Sequence, residues 1–363
     1  MSNAVILIVL LPTAAGGLRP IGLLPFETRL WMRTRAQVVR SWEAATALPC
    51  LFGARGMGAQ RAAWVAAFKA EAIRNGGTTH VMALLDLTKA FETVRHDLLI
   101  DAARRRGYNL TIIRLSLAAY RMARVVGVDG VYTQLMFATR GITAGSGYAT
   151  SELRLLMLDL INDLPDKWGD QVDMTLYVDD LSVSVSGDPI EAARRCAVVL
   201  DFIAAKLELD LGMMVAPKKS FVLSSRPAAA ALVTKMTTTA KVKPVLKAKA
   251  LGVATTAGRA RSVIVFNKRI ATFVAMKERY QQLRAMGVRT DRMTQSTAAA
   301  SMLYGVDGIG VADTMLDHVR RAAAAAAAPG AGGKNADSVF HASFGAAGTA
   351  DPAFNAHVLP IKQ

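Results

Sequence analysis

The chain has 363 residues, which leaves room for two domains or for one large core with an appendage. Lysine and arginine outnumber aspartate and glutamate by 44 to 28, so the formal net charge is +16. A hydrophobic content of 52% excludes a wholly disordered chain, and two cysteines exclude a disulfide scaffold. The basic excess favours a polyanionic partner, either nucleic acid or a membrane surface.

The most apolar segment near the N-terminus, VILIVLLP at residues 5–12, is too short to cross a bilayer, which takes about 20 residues. It has no basic region before it, and Gly-Gly and Arg-Pro follow it, which disfavours a secretory signal. We therefore predict no membrane partner and favour nucleic acid. A truncated signal anchor is the alternative interpretation of this segment.

The apolar pattern predicts a mixed succession of strands and helices over the first 255 residues. Pro20 and Pro25 disfavour a helix interior, so the segment around them is predicted to be extended. In chain order the predictions are strands 5–11 and 18–24, helices 29–47 and 62–74, strand 79–85, and helices 98–106, 110–123 and 149–164. They continue with strands 174–178 and 181–185, helix 189–207, and extended segments 220–223 and 246–254.

The last third of the chain has a different pattern. Three amphipathic helices are predicted at residues 265–286, 292–304 and 312–328. Beyond Pro329, glycine, alanine and asparagine dominate, which indicates a poorly ordered tail. The boundary between a mixed body and a helical unit is therefore placed near residue 255.

Three aspartates occupy strand ends, from which rigidly held carboxylates can bind a metal. Asp86 follows the predicted strand 79–85, and Asp179 and Asp180 lie at the tip of the predicted hairpin. Mg²⁺ prefers oxygen ligands and keeps phosphate oxygens and waters in its remaining positions. Three converging carboxylates would raise one another's pKa unless cations neutralise them. The alternative is ordinary turn chemistry, because Asp is common in hairpin turns.

Six segments, in this order, resemble the motifs of reverse transcriptases, in particular those of non-long-terminal-repeat retroelements. They are LRPIGLLPFETR (18–29), LLDLTKAFETVRH (84–96), RGITAGSGYATSEL (140–153), TLYVDDLSVSVSG (175–187), LGMMVAPKKSFVLS (211–224) and LKAKALGV (246–253). The resemblance implies an α+β fold, a right-hand polymerase with fingers, a palm of antiparallel sheet plus helices, and a helical thumb.

The resemblance also implies a division of the chain. Partial fingers are expected over residues 1–78, a palm with the catalytic blocks and the primer-grip hairpin over 79–255, and a thumb over 256–328. Residues 329–363 are expected to be a disordered, low-complexity tail. Since no endonuclease, RNase H or integrase segment is recognised, the chain is expected to be part of a larger retroelement polyprotein, or a degenerate copy.

The family assigns metal binding and catalysis to Asp86, Asp179 and Asp180, with two Mg²⁺ ions as cofactors and Mn²⁺ as a substitute. By this resemblance Asp86 and Asp179 bridge both ions, and Asp180 is the more dispensable carboxylate. The backbone carbonyl of Leu87 is implied as a further ligand in the nucleotide site. Lys219 is implied to approach the pyrophosphate leaving group as a charge stabiliser or proton donor. The neighbouring Lys218 is the alternative candidate for this role.

Four more residues are expected to bind the incoming nucleotide. Arg19 and Arg29 would hold the triphosphate, because guanidinium forks suit phosphate oxygens. Gly145 would let the backbone approach the nascent base pair. Phe91, five residues after Asp86, would press against the sugar C2′ and select deoxynucleotides. The alternatives are a solvated face for each arginine and a core-packing role for Phe91.

The C-terminal helices carry basic residues beside apolar ones, which fits a thumb that follows the duplex phosphates. The alternative is a solvated helix face. These basic residues are Lys268, Arg269, Lys277, Arg279, Arg284, Arg289 and Arg292.

The resemblance implies an RNA-directed DNA polymerase, in which a primer 3′-hydroxyl attacks the α-phosphorus of a deoxynucleoside triphosphate. Its partners would be an RNA or DNA template, a primer duplex and dNTPs. One alternative is a degenerate fragment that binds nucleic acid without polymerising, since Ala144 stands where the family has glutamine. Another is an RNA-templated RNA polymerase, which Phe91 disfavours.

Overall fold

The computed structural model describes residues 5–12, 16–256, 258, 261–329, 333, 335–344 and 351–362. Its strands are β1 (Ile6–Pro12), β2 (Leu18–Leu23), β3 (Leu51–Phe52), β4 (Thr79–Leu85), β5 (Arg124–Val128), β6 (Val131–Tyr132), β7 (Asp173–Tyr177), β8 (Asp180–Gly187), β9 (Phe221–Ser224), β10 (Lys243–Pro244), β11 (Lys247–Ala250) and β12 (Val253–Thr256).

The helices of the body precede those of the C-terminal unit. They are α1 (Phe26–Ala45), α2 (Ala59–Asn75), α3 (Ala90–Thr93), α4 (His96–Arg105), α5 (Leu110–Tyr120), α6 (Ala149–Trp168), α7 (Pro189–Ala205) and α8 (Pro227–Met236). The C-terminal helices are α9 (Ile264–Val274), α10 (Lys277–Ala285), α11 (Thr290–Met293), α12 (Ala299–Leu303), α13 (Val306–Ile309), α14 (Asp313–Ala327), α15 (Ala336–Phe344) and α16 (Pro352–Lys362). Short π-helical segments follow α7 and α11.

The central layer of the body is a six-stranded sheet in the order β10-β9-β4-β8-β7-β3. Strand β4 lies inside it and pairs antiparallel with β8, from Thr79↔Gly187 to Leu85↔Leu181. Because side chains alternate along a strand, Val81, Ala83 and Leu85 enter the core beneath the sheet. Helix α7 packs on this core face, and α2 packs on the opposite face. The predicted α+β class is confirmed.

Helix α6 is the innermost helix of the body, and it is apolar around most of its circumference. Leu153, Leu155, Met157 and Leu160 are among its residues that are at most 3% exposed. A helix that is hydrophobic on all sides must be buried on all sides. The glycine-rich segment at residues 141–147 lies directly before its N-terminal end, beside this buried core.

A second sheet has the strand order β2-β1-β5-β6, and β1 pairs in parallel with β5. The β5–β6 hairpin was not predicted, although Asp129-Gly130 is a known hairpin dipeptide. Both residues adopt positive φ, +49° and +84°, as such a turn requires. Strands from both sides of residue 78 pair here, since β1 and β2 precede it and β5 follows it.

The C-terminal unit has its own core, built from Phe266, Phe273, Leu316 and other apolar residues of α9 to α14. The helix predicted over residues 265–286 is two helices, because α9 ends at Val274 and α10 begins at Lys277. Among the described residues, no helix has both the length and the apolar character to cross a bilayer.

Helices α15 and α16 lie in the segment whose composition indicates a poorly ordered tail. Phe340 and Ala356 are buried in the second core, and the Arg320 guanidinium lies 2.8 Å from the Asp351 carboxylate. These contacts order two short helices that low sequence complexity alone does not indicate. Residues 330–332, 334, 345–350 and 363, also within the predicted tail, lie outside the described residues.

Candidate active site

The acidic hairpin differs by one residue from the predicted one. Strand β7 ends at Tyr177, the turn is Val178–Asp179, and Asp180 opens β8 opposite Tyr177. Val178 adopts a φ of +60°, which is unusual for a β-branched side chain and marks local strain. The prediction that both aspartates form the turn is therefore wrong for Asp180, whose backbone takes part in the strand ladder.

Asp86 reaches the same edge of the sheet. The last pair between β4 and β8 is Leu85↔Leu181, and the same register places Asp86 across from Asp180. The backbone of Asp86 is held on both sides: its N–H donates to Ser220 Oγ at 3.2 Å, and its C=O accepts from Ala216 N–H at 2.8 Å. The carboxylate thus projects from a fixed support and keeps 29% of its side-chain exposure.

The environment of Asp180 shows that the three carboxylates lie within electrostatic reach of one another. Its pKa is raised to about 6, first by burial and then by the charges of Asp179 and Asp86. The Lys219 ammonium opposes this rise. A nearby cation would therefore stabilise the ionised form of this carboxylate.

Burial also raises the pKa of Asp179, and the neighbouring charges of Asp86 and Glu92 add to the effect. Arg19, an exposed residue of β2, lowers that pKa and is therefore close enough to act on Asp179. The fold thus brings Arg19 from the N-terminal sheet to the acidic turn.

Lys219 forms an ion pair with Asp86, with 3.3 Å between Nζ and Oδ2. Its side chain is 73% exposed, so the ammonium can leave this contact at little cost. A cavity of about 270 Å³ is lined by Asp86, Asp180 and Lys219 together with apolar residues such as Met82 and Phe221. Asp86 and Asp180 therefore share a cavity.

The donor set fits Mg²⁺ in chemistry, since the charge of Asp86 helps to raise the pKa of both Asp179 and Asp180, and such a group of carboxylates favours a divalent cation. As the side chains stand, however, no three His, Cys, Asp or Glu residues of the described chain converge closely enough to hold a metal. The Lys219 ammonium beside Asp86 supplies part of the compensating positive charge. Metal binding would require rotation of these side chains.

The remaining predicted nucleotide residues are placed as follows. Phe91 is half-buried and packs against the hydrophobic core of the body. Leu87 is buried and forms an isolated bridge with Val215, which fixes its main chain beside Asp86. Arg29 is exposed on the first turn of α1 and, within the described ranges, makes no ion pair. The fold therefore does not bring Arg29 into contact with the carboxylates.

Gly145 lies in the glycine-rich loop, which we define as residues 141–147. Its φ is +112°, and a Cβ there would lie 2.4 Å from the carbonyl oxygen of Gly22 in β2. Only glycine fits this close approach. The backbones also bond directly, since Gly22 N–H donates to the carbonyl of Ala144 at 2.8 Å.

Three residues at or near the site were not predicted. Ser220 is fully buried and holds the main chain of Asp86, and Glu92 acts on the pKa of Asp179. Gly22 meets the glycine-rich loop. Glu92 adjoins Phe91 in the sequence and could have been found from that position; the contacts of Ser220 and Gly22 span more than 120 residues and carry no local signal.

Among the basic residues expected on the thumb, Arg269 has a structural role. Its guanidinium donates to the carbonyl of Tyr304 at 2.5 Å and to that of Gly252 at 2.7 Å, and it stacks on the Tyr304 ring. Arg289 pairs with Asp291. The side chains of Lys268, Lys277, Arg279, Arg284 and Arg292 are exposed.

Residues 11–255 match the model of the family described as reverse transcriptase (RNA-dependent DNA polymerase), and the chain belongs to that family. No curated protein sequence matches this chain.

The fold resembles that of telomerase structures at low sequence identity. Apo telomerase from Candida Tropicalis is 9% identical, with a TM-score of 0.53 over 99% of this chain and 65% of that one. A form truncated from the C-terminal domain is 13% identical, with a TM-score of 0.51 over 70% and 54%. The form in complex with a fragment of telomeric RNA is 11% identical, with a TM-score of 0.50 over 94% and 64%. The chain thus spans less than two thirds of each, and the likeness shows the polymerase fold.

Proposed function

We propose that the protein is an RNA-directed DNA polymerase that extends a primer with dNTPs on an RNA or DNA template. The observation that carries the proposal is the meeting of Asp86, Asp179 and Asp180 at one sheet edge, beside Lys219 and a cavity. Family membership supports this class of chemistry. Catalysis in such a site depends mainly on positioning and electrostatics, with little covalent work by the protein.

The three aspartates would hold two Mg²⁺ ions, or Mn²⁺ in their place, together with the carbonyl of Leu87. When bound, such ions supply charge stabilisation for an in-line phosphoryl transfer. Lys219 would stabilise the leaving pyrophosphate, since it is the lysine of its pair that reaches Asp86. A resting ion pair that is mostly exposed allows this ammonium to turn toward a phosphate.

Arg19 and Gly145 would contact the incoming nucleotide from the side of the second sheet, and Phe91 would bear on the sugar. The charge of Arg19 already acts on Asp179, which supports its place near the triphosphate. Arg29 is exposed on the first turn of α1. We propose that it holds the incoming triphosphate together with Arg19.

The RNA template and the primer duplex would lie between the two sheets and the C-terminal helices. Exposed basic residues of α9 and α10 support a phosphate contact there, and the related telomerase structure holds telomeric RNA. We propose fingers over residues 1–78, palm over 79–255 and thumb over 256–328, with β5 and β6 joining the fingers sheet. The retroelement origin, of the non-long-terminal-repeat type and within a larger polyprotein, is part of this proposal.

The test is primer extension by the purified protein with the Asp179→Ala variant beside it. We expect extension on an RNA template by the wild type, loss of extension in the variant, and retained salt-sensitive binding of the duplex in both. Unchanged extension by Asp179→Ala would refute the assignment. Parallel reactions with ribonucleotides test the RNA polymerase alternative, and binding without incorporation under Mg²⁺ and Mn²⁺ would favour a degenerate fragment, which Ala144 motivates.

A further inference from the structure

One acidic residue lies in the core of the body, away from the sheet edge. Glu152 of α6 is fully buried, and burial raises the pKa of its carboxyl to about 7. The Tyr120 hydroxyl of α5, itself fully buried, donates to Glu152 Oε2 at 2.5 Å. Burying a carboxyl carries a large desolvation cost, which hydrogen bonds such as the one from Tyr120 offset.

The hydrogen bonds at Glu152 continue as a chain to the glycine-rich loop. Tyr120 Oη lies 2.8 Å from Ser146 Oγ, and the N–H of Tyr148 donates to Ser146 Oγ at 3.2 Å. A hydroxyl has one proton to give. Since Tyr120 gives its proton to Glu152, Ser146 must give its own to Tyr120, in preference to the weak acceptor Met32 Sδ at 3.8 Å.

The glycine-rich loop, in which these hydrogen bonds end, contacts both sides of the proposed nucleotide site. Ile142 N–H donates to the carbonyl of Phe91 at 2.8 Å, which ties the loop to the residue proposed to bear on the sugar. On the other side Ala144 accepts from Gly22 of β2. A displacement of Ser146 would therefore be passed to both contacts, because few residues separate them from it.

We propose that Glu152 is a positioning residue of the nucleotide site: through Tyr120 and Ser146 it holds the glycine-rich loop in the place that contacts Phe91 and Gly22. The proposal rests on the proposed polymerase function for its kinetic part. Its structural part, the placement of the loop, stands on the hydrogen-bond chain alone. Glu152 itself touches neither substrate nor metal.

The experiment compares Glu152→Leu, Tyr120→Phe and Glu152→Gln with the wild type. Glutamine keeps an oxygen that can accept from Tyr120, whereas leucine and phenylalanine break the chain. The matched control is Glu43→Leu, because the Glu43 carboxylate accepts from Ser151 of α6 at 2.6 Å and, in the part of the chain that the structure describes, makes no bond to the loop. Hydrogen exchange of the amides of residues 141–147 is measured first, and single-nucleotide extension second.

We expect exchange in the loop to accelerate about tenfold or more in Glu152→Leu and Tyr120→Phe, with little change in Glu152→Gln and Glu43→Leu. In extension, the two chain-breaking variants should raise the KM for dNTP by about 10- to 100-fold, with kcat changed far less. Rescue by glutamine would separate positioning from a general loss of stability.

Two results would overturn the inference. One is loop exchange in Tyr120→Phe equal to that of the wild type, a variant that keeps the ring and so has the best chance of folding. The other is equal acceleration by Glu43→Leu. If the wild type does not extend a primer, the polymerase proposal fails, and the exchange measurements still decide whether Glu152 holds the loop.

Discussion

Burial raises the pKa of carboxyl groups both at the sheet edge and at Glu152, but different groups compensate their charge. In Asp179, Asp180 and Glu152 alike, burial is the largest cause of a raised pKa. At the edge, like charges add to the rise and the exposed cations Arg19 and Lys219 oppose it. At Glu152, a buried tyrosine hydroxyl opposes it.

This difference shows how one kind of side chain can serve two purposes. Carboxylates that are compensated by exposed side-chain cations can exchange those cations for a metal ion, either free or bound to a phosphate. A charge that is compensated by a fixed, buried hydroxyl orders the structure around it and exchanges nothing.

Neutralising Asp86 should have the largest effect. We expect Asp86→Asn to lower single-turnover primer extension by about 10³-fold or more, because a metal-binding charge is lost in a site that depends on it. Stability should change little, since removal of one like charge relieves Asp179 and Asp180. The control is Asp101→Asn on the exposed face of α4, and wild-type rates in Asp86→Asn would contradict the prediction.

Glu152 should make the stability depend on pH. Its folded pKa of about 7 lies above the ordinary value of 4.5, so its contribution is complete below pH 4.5 and is lost as pH rises to 7. The loss is about 3 kcal/mol in the free energy of unfolding. Denaturant unfolding of the wild type and of Glu152→Gln at pH 5 and pH 8 measures this loss. If the free energy of unfolding changes equally with pH in both proteins, the Glu152 carboxyl does not titrate as described.

Lys219 should matter more than its neighbour. We expect Lys219→Met to lower extension about 10- to 100-fold, because the ammonium that reaches Asp86 is the one placed to meet the leaving group. Lys218→Met, with the same loss of charge, should change the rate about threefold or less. Equal losses in the two variants would mean that only the local net charge matters.

Asp180 should produce the smallest effect. Because its pKa is about 6 without metal, protons compete with Mg²⁺ below that pH. We expect the Mg²⁺ concentration that gives half-maximal extension to rise by up to about tenfold per pH unit below 6, and to stay nearly constant above 7. In Asp180→Asn this slope should flatten, and an unchanged slope would assign the titration to another group.

Part of this molecule could be predicted because its signals are local. Strand β4 follows from a run of five apolar residues, Val81 to Leu85, that ends at an aspartate, and its bounds are those predicted. The paired aspartates between two β-rich segments predict the hairpin, although the pairing of Asp180 with Tyr177 shifts the turn by one residue. Family motifs gave the fold class, since their order reflects the order of the elements.

Other features depend on contacts between distant segments. Glu152 lies within the predicted helix 149–164, yet only the tertiary structure shows that Tyr120 of α5 reaches it. Helix α8 and the C-terminal helices α15 and α16 were also not predicted, because helices this short carry little amphipathic signal until a neighbouring surface is known.

By itself the sequence determined the family, the α+β class and the acids of the candidate site, because each depends on residue types at short spacing. The tertiary structure alone decided that Lys219 faces Asp86, that Arg19 reaches Asp179 while Arg29 stays apart, and that Tyr120 bonds to both Glu152 and Ser146. These are distances between segments separated by tens of residues or more. Such distances follow from the joint packing of both sheets and their helices, and no short window of sequence contains them.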